Sequence, residues 1–330
     1  MKKAAISTAI LTALVSGSSL AATVYSNDGT ELKIGGRAEF RGDFNGAEDG
    51  KDIEGTMKNK SRVRVNVVGS TQISDSLSGF GKYEAEQSVL SSGDKDANTE
   101  FKQRYAFAGL KGDFGSVSAG RQDTAGVQIS DMSDIGTYTG DQKAFINAGN
   151  EQINNTFAYG YNTDALSIKA SFIAGEEKDT DGYGISAIYT LPMGLGFGLG
   201  YAANDNGQGA GSANQIIAGI NYEMDALYLA TTYTMGDLDD DADTEFEGLE
   251  FAGHYKFTKQ FRLIAAYVKQ EEDAAKNDSV DTADFFELTA RYDFNKSIRG
   301  YVAYKLNNLD DKDTGYDVND SVRLGLRYDF

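Results

Sequence analysis

The sequence has no cysteine and no tryptophan, and only one proline and one histidine in 330 residues. Without cysteine there is no disulfide, no thiol nucleophile and no thiolate-bound metal. The lone proline, Pro192, suits a chain that is mostly strand, because proline removes a donor from a ladder. The lone histidine, His254, leaves little for general acid–base catalysis. No phosphate loop, zinc-ligand spacing or paired-carboxylate motif stands out, so neither cofactor nor metal is expected. After the first few residues no apolar run approaches the ~20 residues of a spanning helix. The mean hydropathy of −0.42 looks water-soluble. It does not exclude a membrane barrel, because each barrel strand alternates lipid-facing and water-facing side chains.

What is present begins with Lys2 and Lys3, the apolar stretch Ala4–Val15, and Ser19-Leu20-Ala21. Basic, apolar and small-residue regions in that order predict a secretory signal, residues 1–21, cut after Ala21. The remaining domain, 22–330, is 309 residues long, enough for two soluble domains or one large barrel. The formal charge is −19 for the whole chain and −21 without Lys2 and Lys3. Such acidity argues against nucleic acid as a partner and fits cations and small hydrophilic solutes.

Alternation of apolar and polar residues recurs along the chain. Phe286, Leu288, Ala290, Tyr292 and Phe294 interleave with Glu287, Thr289, Arg291 and Asp293. Leu195, Phe197, Leu199 and Tyr201 interleave with Gly196, Gly198, Gly200 and Ala202. Marking every such segment predicts sixteen strands, near 32–44, 61–70, 80–88, 102–111, 116–122, 155–162, 166–175, 183–190, 195–203, 215–224, 227–235, 247–257, 261–270, 284–294, 298–307 and 320–330. The segment 261–270 sets Ile264 and Val268 on its supposed water face. Short connections alternate with eight long ones: 45–60, 89–101, 123–150, 176–182, 204–214, 236–246, 271–283 and 308–319. Transmembrane barrels have this asymmetry, and an even strand number places both termini on the periplasmic side. The long loops hold 31 acidic and 8 basic residues, a net of −23. One sign of charge therefore collects on the outer side. It can enrich cations at a pore mouth, or bind anionic lipid headgroups, including lipopolysaccharide, through divalent cations.

In the last strand Val322, Leu324, Leu326, Tyr328 and Phe330 share an apolar face. A soluble edge strand rarely presents such a face. Arg323, Gly325, Tyr328 and Phe330 resemble the signal read by the outer-membrane barrel-assembly machinery, which implies a multi-pass protein of the cell outer membrane.

The chain resembles the general diffusion porins of Gram-negative bacteria, close to the type of marine vibrios, over essentially its whole mature length. The matches run through Arg104-Tyr105-Ala106-Phe107-Ala108-Gly109-Leu110-Lys111, Gly115-Ser116-Val117-Ser118-Ala119-Gly120-Arg121 and Gly325-Leu326-Arg327-Tyr328-Asp329-Phe330. The resemblance implies an all-β, 16-stranded antiparallel transmembrane barrel, three of which assemble as a homotrimer. It implies a third external loop, here 123–150, folded into each lumen, with loop carboxylates set opposite wall arginines. Carried over, the basic side is Arg37, Arg64 and Arg104, with Lys102 and Arg62 beside them. The acidic side is Asp131, with Asp134 replacing the family glutamate and Glu84 as a lesser candidate. The family's further arginine falls at Gln152, so one positive charge is missing.

The expected function is a water-filled, weakly cation-selective channel for passive diffusion. The alternatives are an adhesin or structural barrel whose acidic loops bind host or surface ligands, a sugar-specific channel, and an outer-membrane hydrolase. A sugar channel should carry an aromatic slide, yet Tyr228 and Tyr301 alone stand out as inward-facing aromatics. A hydrolase would have to work from His254, which lies inward beside Lys256 with no serine nucleophile identifiable near it.

Overall fold

The computed structural model describes residues 21–48, 51–53, 55–89, 100–274, 278–309 and 318–330. Residues 1–20 of the expected signal 1–21 lie outside them, as do parts of the loops 45–60, 89–101, 271–283 and 308–319.

Among the described residues sixteen strands form the wall. They are β1 (Thr30–Phe44), β2 (Arg62–Ser74), β3 (Leu77–Ser88), β4 (Lys102–Gly112), β5 (Gly115–Gln122), β6 (Ile153–Asn162), β7 (Leu166–Ile173) and β8 (Gly182–Thr190). They continue as β9 (Leu195–Asp205), β10 (Ser212–Met224), β11 (Leu227–Asp239), β12 (Thr244–Lys256), β13 (Phe261–Ala274), β14 (Asp278–Asp293), β15 (Ile298–Asn307) and β16 (Ser321–Asp329). Each pairs antiparallel with its neighbours in sequence. β1 pairs with β2 over Thr30–Glu39 and with β16 over Arg37–Phe44, so the sheet closes on itself. Closure removes the exposed edges that an open sheet of this size would carry.

The alternation read from the sequence sorts residues by face, and the faces invert those of a water-soluble protein. On β14, Phe286 and Leu288 are about half exposed outward, while Glu287 and Thr289, which alternate with them, are buried. Phe40, Phe157, Ile185, Leu199, Phe251 and Leu326 extend the outward apolar belt. An apolar exterior with polar groups inside suits a wall whose solvent is lipid. No described helix is long and apolar enough to cross a membrane.

Two features differ from the sequence-based expectation. A short strand, Ala22–Asn27, precedes β1 and folds onto its first half through the Asp28-Gly29 turn, where both residues have positive φ. Two-residue hairpins favour Asp-Gly because both positions need that conformation. The stretches 236–246 and 271–283, expected as loops, are largely strand; β11 runs on to Asp239 and β12 starts at Thr244. Backbone pairing continues there after the hydropathy alternation has stopped. Ile264 and Val268 on β13 do face inward and are buried. Val268 stands between Glu250 and Phe285 in the register, on the stretch of wall that the 123–152 segment covers.

The seam depends on close approach. Gly36 and Phe330 exchange two backbone hydrogen bonds, Gly36 N to Phe330 O at 2.9 Å and Phe330 N to Gly36 O at 3.0 Å. A Cβ on Gly36 would meet the Phe330 ring, and one on Gly325 would overlap the Tyr301 ring. The Tyr328 and Phe330 rings stack outside, 6.0 Å apart.

Candidate functional site

Between β5 and β6 the chain leaves the sheet for residues 123–152, with one helical turn at Val127–Ser130 and 3-10 turns at Asp141–Lys143 and Asn147–Gly149. The segment has an apolar side of its own. Ile129 and Met132 pack on Ile217 and Ala230 of β10 and β11. Ile146 and Ala148 pack on Ile173, Ala202, Ala213 and Phe246, and Phe145 stacks on Phe246 at 4.2 Å. Small residues on the facing strands make the seat: a Cβ at Gly198 or Gly219 would crowd Ile129 and Met132.

Polar groups fix the rest. Gln128 donates to Ser186 at 2.7 Å, Tyr228 donates to the Met132 carbonyl at 2.6 Å, and Ser133 bonds Thr232 at 2.7 Å. Two buried wall carboxylates receive backbone N–H groups. Glu250 accepts from Gly140 at 2.9 Å. Glu287 accepts from Thr137 at 2.8 Å and Tyr138 at 2.9 Å, and from the Thr289 hydroxyl at 2.6 Å. A buried carboxylate is tolerated when donors replace water in this way.

Facing the segment is a wall of guanidinium groups. Arg37 and Arg64 are cross-strand partners on β1 and β2, and Arg62 and Arg104 flank them. Their counter-ions stand on the same wall. Arg64 meets Glu86 at 2.6 Å and Glu84 at 3.3 Å, Arg104 meets Glu84 at 2.8 Å, and Arg62 meets Glu39 at 2.7 Å. Arg37 reaches Glu86 only at 3.7 Å. The row continues across the seam through Arg327 and Arg299, which share Asp329, to Arg291 on Asp293. Sequence reasoning missed this second half. Its signal was available: these arginines lie on the polar faces of the last three strands, which closure brings beside β1.

Wall and segment enclose a cavity of about 960 Å³. Of the expected basic residues, Arg37, Arg62, Arg64 and Arg104 line it. Lys102 is exposed and does not line it, although the register pairs it with the inward Glu86. Of the expected acidic residues, Asp134 lines the cavity opposite the arginines. Asp131 does not, and Glu84 lies among the arginines as their counter-ion. Asp134 and Asp131 share a loop cation that sequence reasoning overlooked: Lys143, at 3.2 Å and 3.8 Å. Burial pulls the Lys143 ammonium down, but the two carboxylates outweigh it and hold it above the usual range. Enclosure by the surrounding protein pushes Asp131 up to about 6, opposed by Lys143 and helped by Asp134 and Asp123. Gln152, where a further arginine was expected, donates its backbone N–H to Asp123 at 3.1 Å. His254 sits inside against the Tyr228 ring, 5.6 Å between centroids.

A profile of Gram-negative porins matches residues 7–312. The chain is similar to porin-like protein L of Photobacterium profundum, 32% identical over the full length of both. It superposes on Salmonella typhi OmpF in complex with daunomycin with a TM-score of 0.81 and 22% identity, covering 94% of this chain and all of that one. The trimer form of OmpT of Vibrio cholerae gives a TM-score of 0.70 at 18% identity, covering 92% of this chain and all of that one.

Proposed function

Because the chain belongs to the Gram-negative porin family, we propose that it forms a water-filled outer-membrane channel for passive diffusion of small hydrophilic solutes and ions, with a weak preference for cations. The observation that carries this reading is the polar cavity between the arginine wall and residues 134–143. On this reading the 123–152 segment is the third external loop, folded into the lumen as its waist. Wall cations and loop carboxylates then set up a transverse field. Dipolar solutes align in it and exchange hydration for wall contacts weak enough to let them leave. Arg62, Arg64 and Arg104 each have a carboxylate within ion-pair distance, so the waist discriminates weakly between signs. The net −23 of the external loops tips the balance toward cations at the mouth. Beyond the ~8 Å screening length of physiological salt that influence fades.

The same proposal includes removal of residues 1–21 on export, both termini in the periplasm, and insertion by the barrel-assembly machinery. It also includes lipopolysaccharide around the acidic loops and assembly as a homotrimer. The trimer form of OmpT, which shares this fold, is consistent with the last. Swelling of liposomes carrying the purified protein tests the channel. Uptake should fall smoothly as neutral sugars grow larger. A barrel that leaves the liposomes as tight as empty ones is not a diffusion pore.

A further inference from the structure

We propose that the cavity wall carries a binding subsite for a small oxyanion, of the class of phosphate and phosphate monoesters, built from Arg41, Arg323 and Lys305 on three adjacent strands. Register places them together: Asp43 faces Arg323 across the β1–β16 seam, Arg41 lies one inward position away opposite Gly325, and Lys305 on β15 is paired with Ser321. All three line the cavity.

The charges there do not balance. Arg323 is buried and uses three of its five N–H donors, Nε and Nη2 donating to Asp43 at 2.6 Å and 2.8 Å and Nη1 to the Thr137 carbonyl at 2.6 Å. Among the described residues Arg41 forms no ion pair, and its Nε is buried without an acceptor. Lys305 rests over aromatic faces, 4.9 Å from the Phe285 centroid and 5.5 Å from that of Tyr138. The carboxylates that could neutralise them are occupied. Glu287, opposite Lys305 in register, directs its oxygens to Thr137 and Tyr138. Glu39 is taken by Arg62 and the Tyr301 hydroxyl. Asp43 is thus the one carboxylate hydrogen-bonded to a cation of the trio, while Asp141, which also lines the cavity, acts on Lys305 without an ion pair.

Partly desolvated cations lacking counter-ions are unfavourable, and an arriving anion relieves that. A tetrahedral oxyanion presents several acceptors, which suits a guanidinium fork and an ammonium reaching it from neighbouring strands. Chloride, a single round acceptor, satisfies fewer of those donors. The subsite rests on the reading of the cavity as a solute path, and it adds a place where phosphate-bearing solutes pause beside the loop tip.

The test is planar-bilayer recording in potassium chloride with inorganic phosphate added at constant ionic strength, each variant normalised to its own phosphate-free current. Phosphate should reduce or roughen the wild-type current in a saturable way. The double substitution Arg41→Gln, Lys305→Gln should raise the half-saturating concentration on the order of tenfold or more. Arg41→Lys, which keeps the charge, should retain most of the effect and separates lost charge from a damaged barrel. Calorimetric titration of phosphate into the detergent-solubilised protein reads the same site without conduction, so a closed pore and an absent subsite give different results. A wild-type current and a calorimetric trace both indifferent to phosphate would overturn the proposal. So would an unchanged half-saturation in the double variant.

Discussion

Replacing Glu287 by alanine should loosen the 123–152 segment without opening the barrel. The Glu287 carboxylate is buried and receives the N–H groups of Thr137 and Tyr138, the tip that faces the arginine wall. Hydrogen bonds to an ionised acceptor contribute about 1.5–3 kcal/mol each, so losing two removes about 3–6 kcal/mol of local anchoring. At 1.4 kcal/mol per factor of ten, the undocked tip becomes more populated by roughly two to four powers of ten. The apolar seat of Ile129, Met132, Ile146 and Ala148 is untouched, as is the Gly140–Glu250 bond, so the segment should pivot at its tip and stay attached at its base. In single-channel recordings Glu287→Ala should show added current noise and a wider spread of conductance, and Glu287→Gln, which keeps an acceptor, should be milder. Circular dichroism should remain that of the wild-type barrel. If the alanine variant conducts as quietly and as uniformly as the wild type, Glu287 does not hold the loop.

Three further outcomes are expected. Lys143→Gln frees Asp134 and Asp131 from their shared counter-ion; a unit charge at 4 Å in water amounts to about 1 kcal/mol, so the cation-to-anion permeability ratio should rise by up to about fivefold. Asp131, with its pKa raised to about 6, is ionised at pH 7 and becomes neutral as pH falls through that value, so cation preference should drop between pH 7 and 5; Asp131→Asn should lack that step in reversal-potential measurements. Gly325→Ala puts a methyl into the Tyr301 ring at the seam and should destabilise the barrel by roughly 1–3 kcal/mol; a lower unfolding temperature in detergent should report it, and adding Tyr301→Ala should restore most of the loss.

The sixteen strands were legible because lipid outside and polar groups inside impose a period of two on each crossing. Where that pressure ends, so does legibility. Asp237 and Glu245 pair in a ladder beyond the apolar belt, and no hydropathy signal marks them as strand. The family resemblance pointed to Arg37, Arg64 and Arg104, but it is blind to which carboxylate meets which cation. Glu84 was read as an opposing acid and is the arginines' neighbour, because strand register set it there. Lys143 belongs to a segment with no period, and its position depends on two apolar anchors and a few backbone hydrogen bonds. The arginines of the last three strands became part of the site only through closure, a long-range contact that no local pattern carries.

The most direct test of the account is a single-channel recording of the purified chain in a planar bilayer under a potassium chloride gradient. Stepwise, ohmic conductance with a reversal potential slightly toward the cation limit is expected. Absence of steps, or a reversal potential near the anion limit, would contradict it.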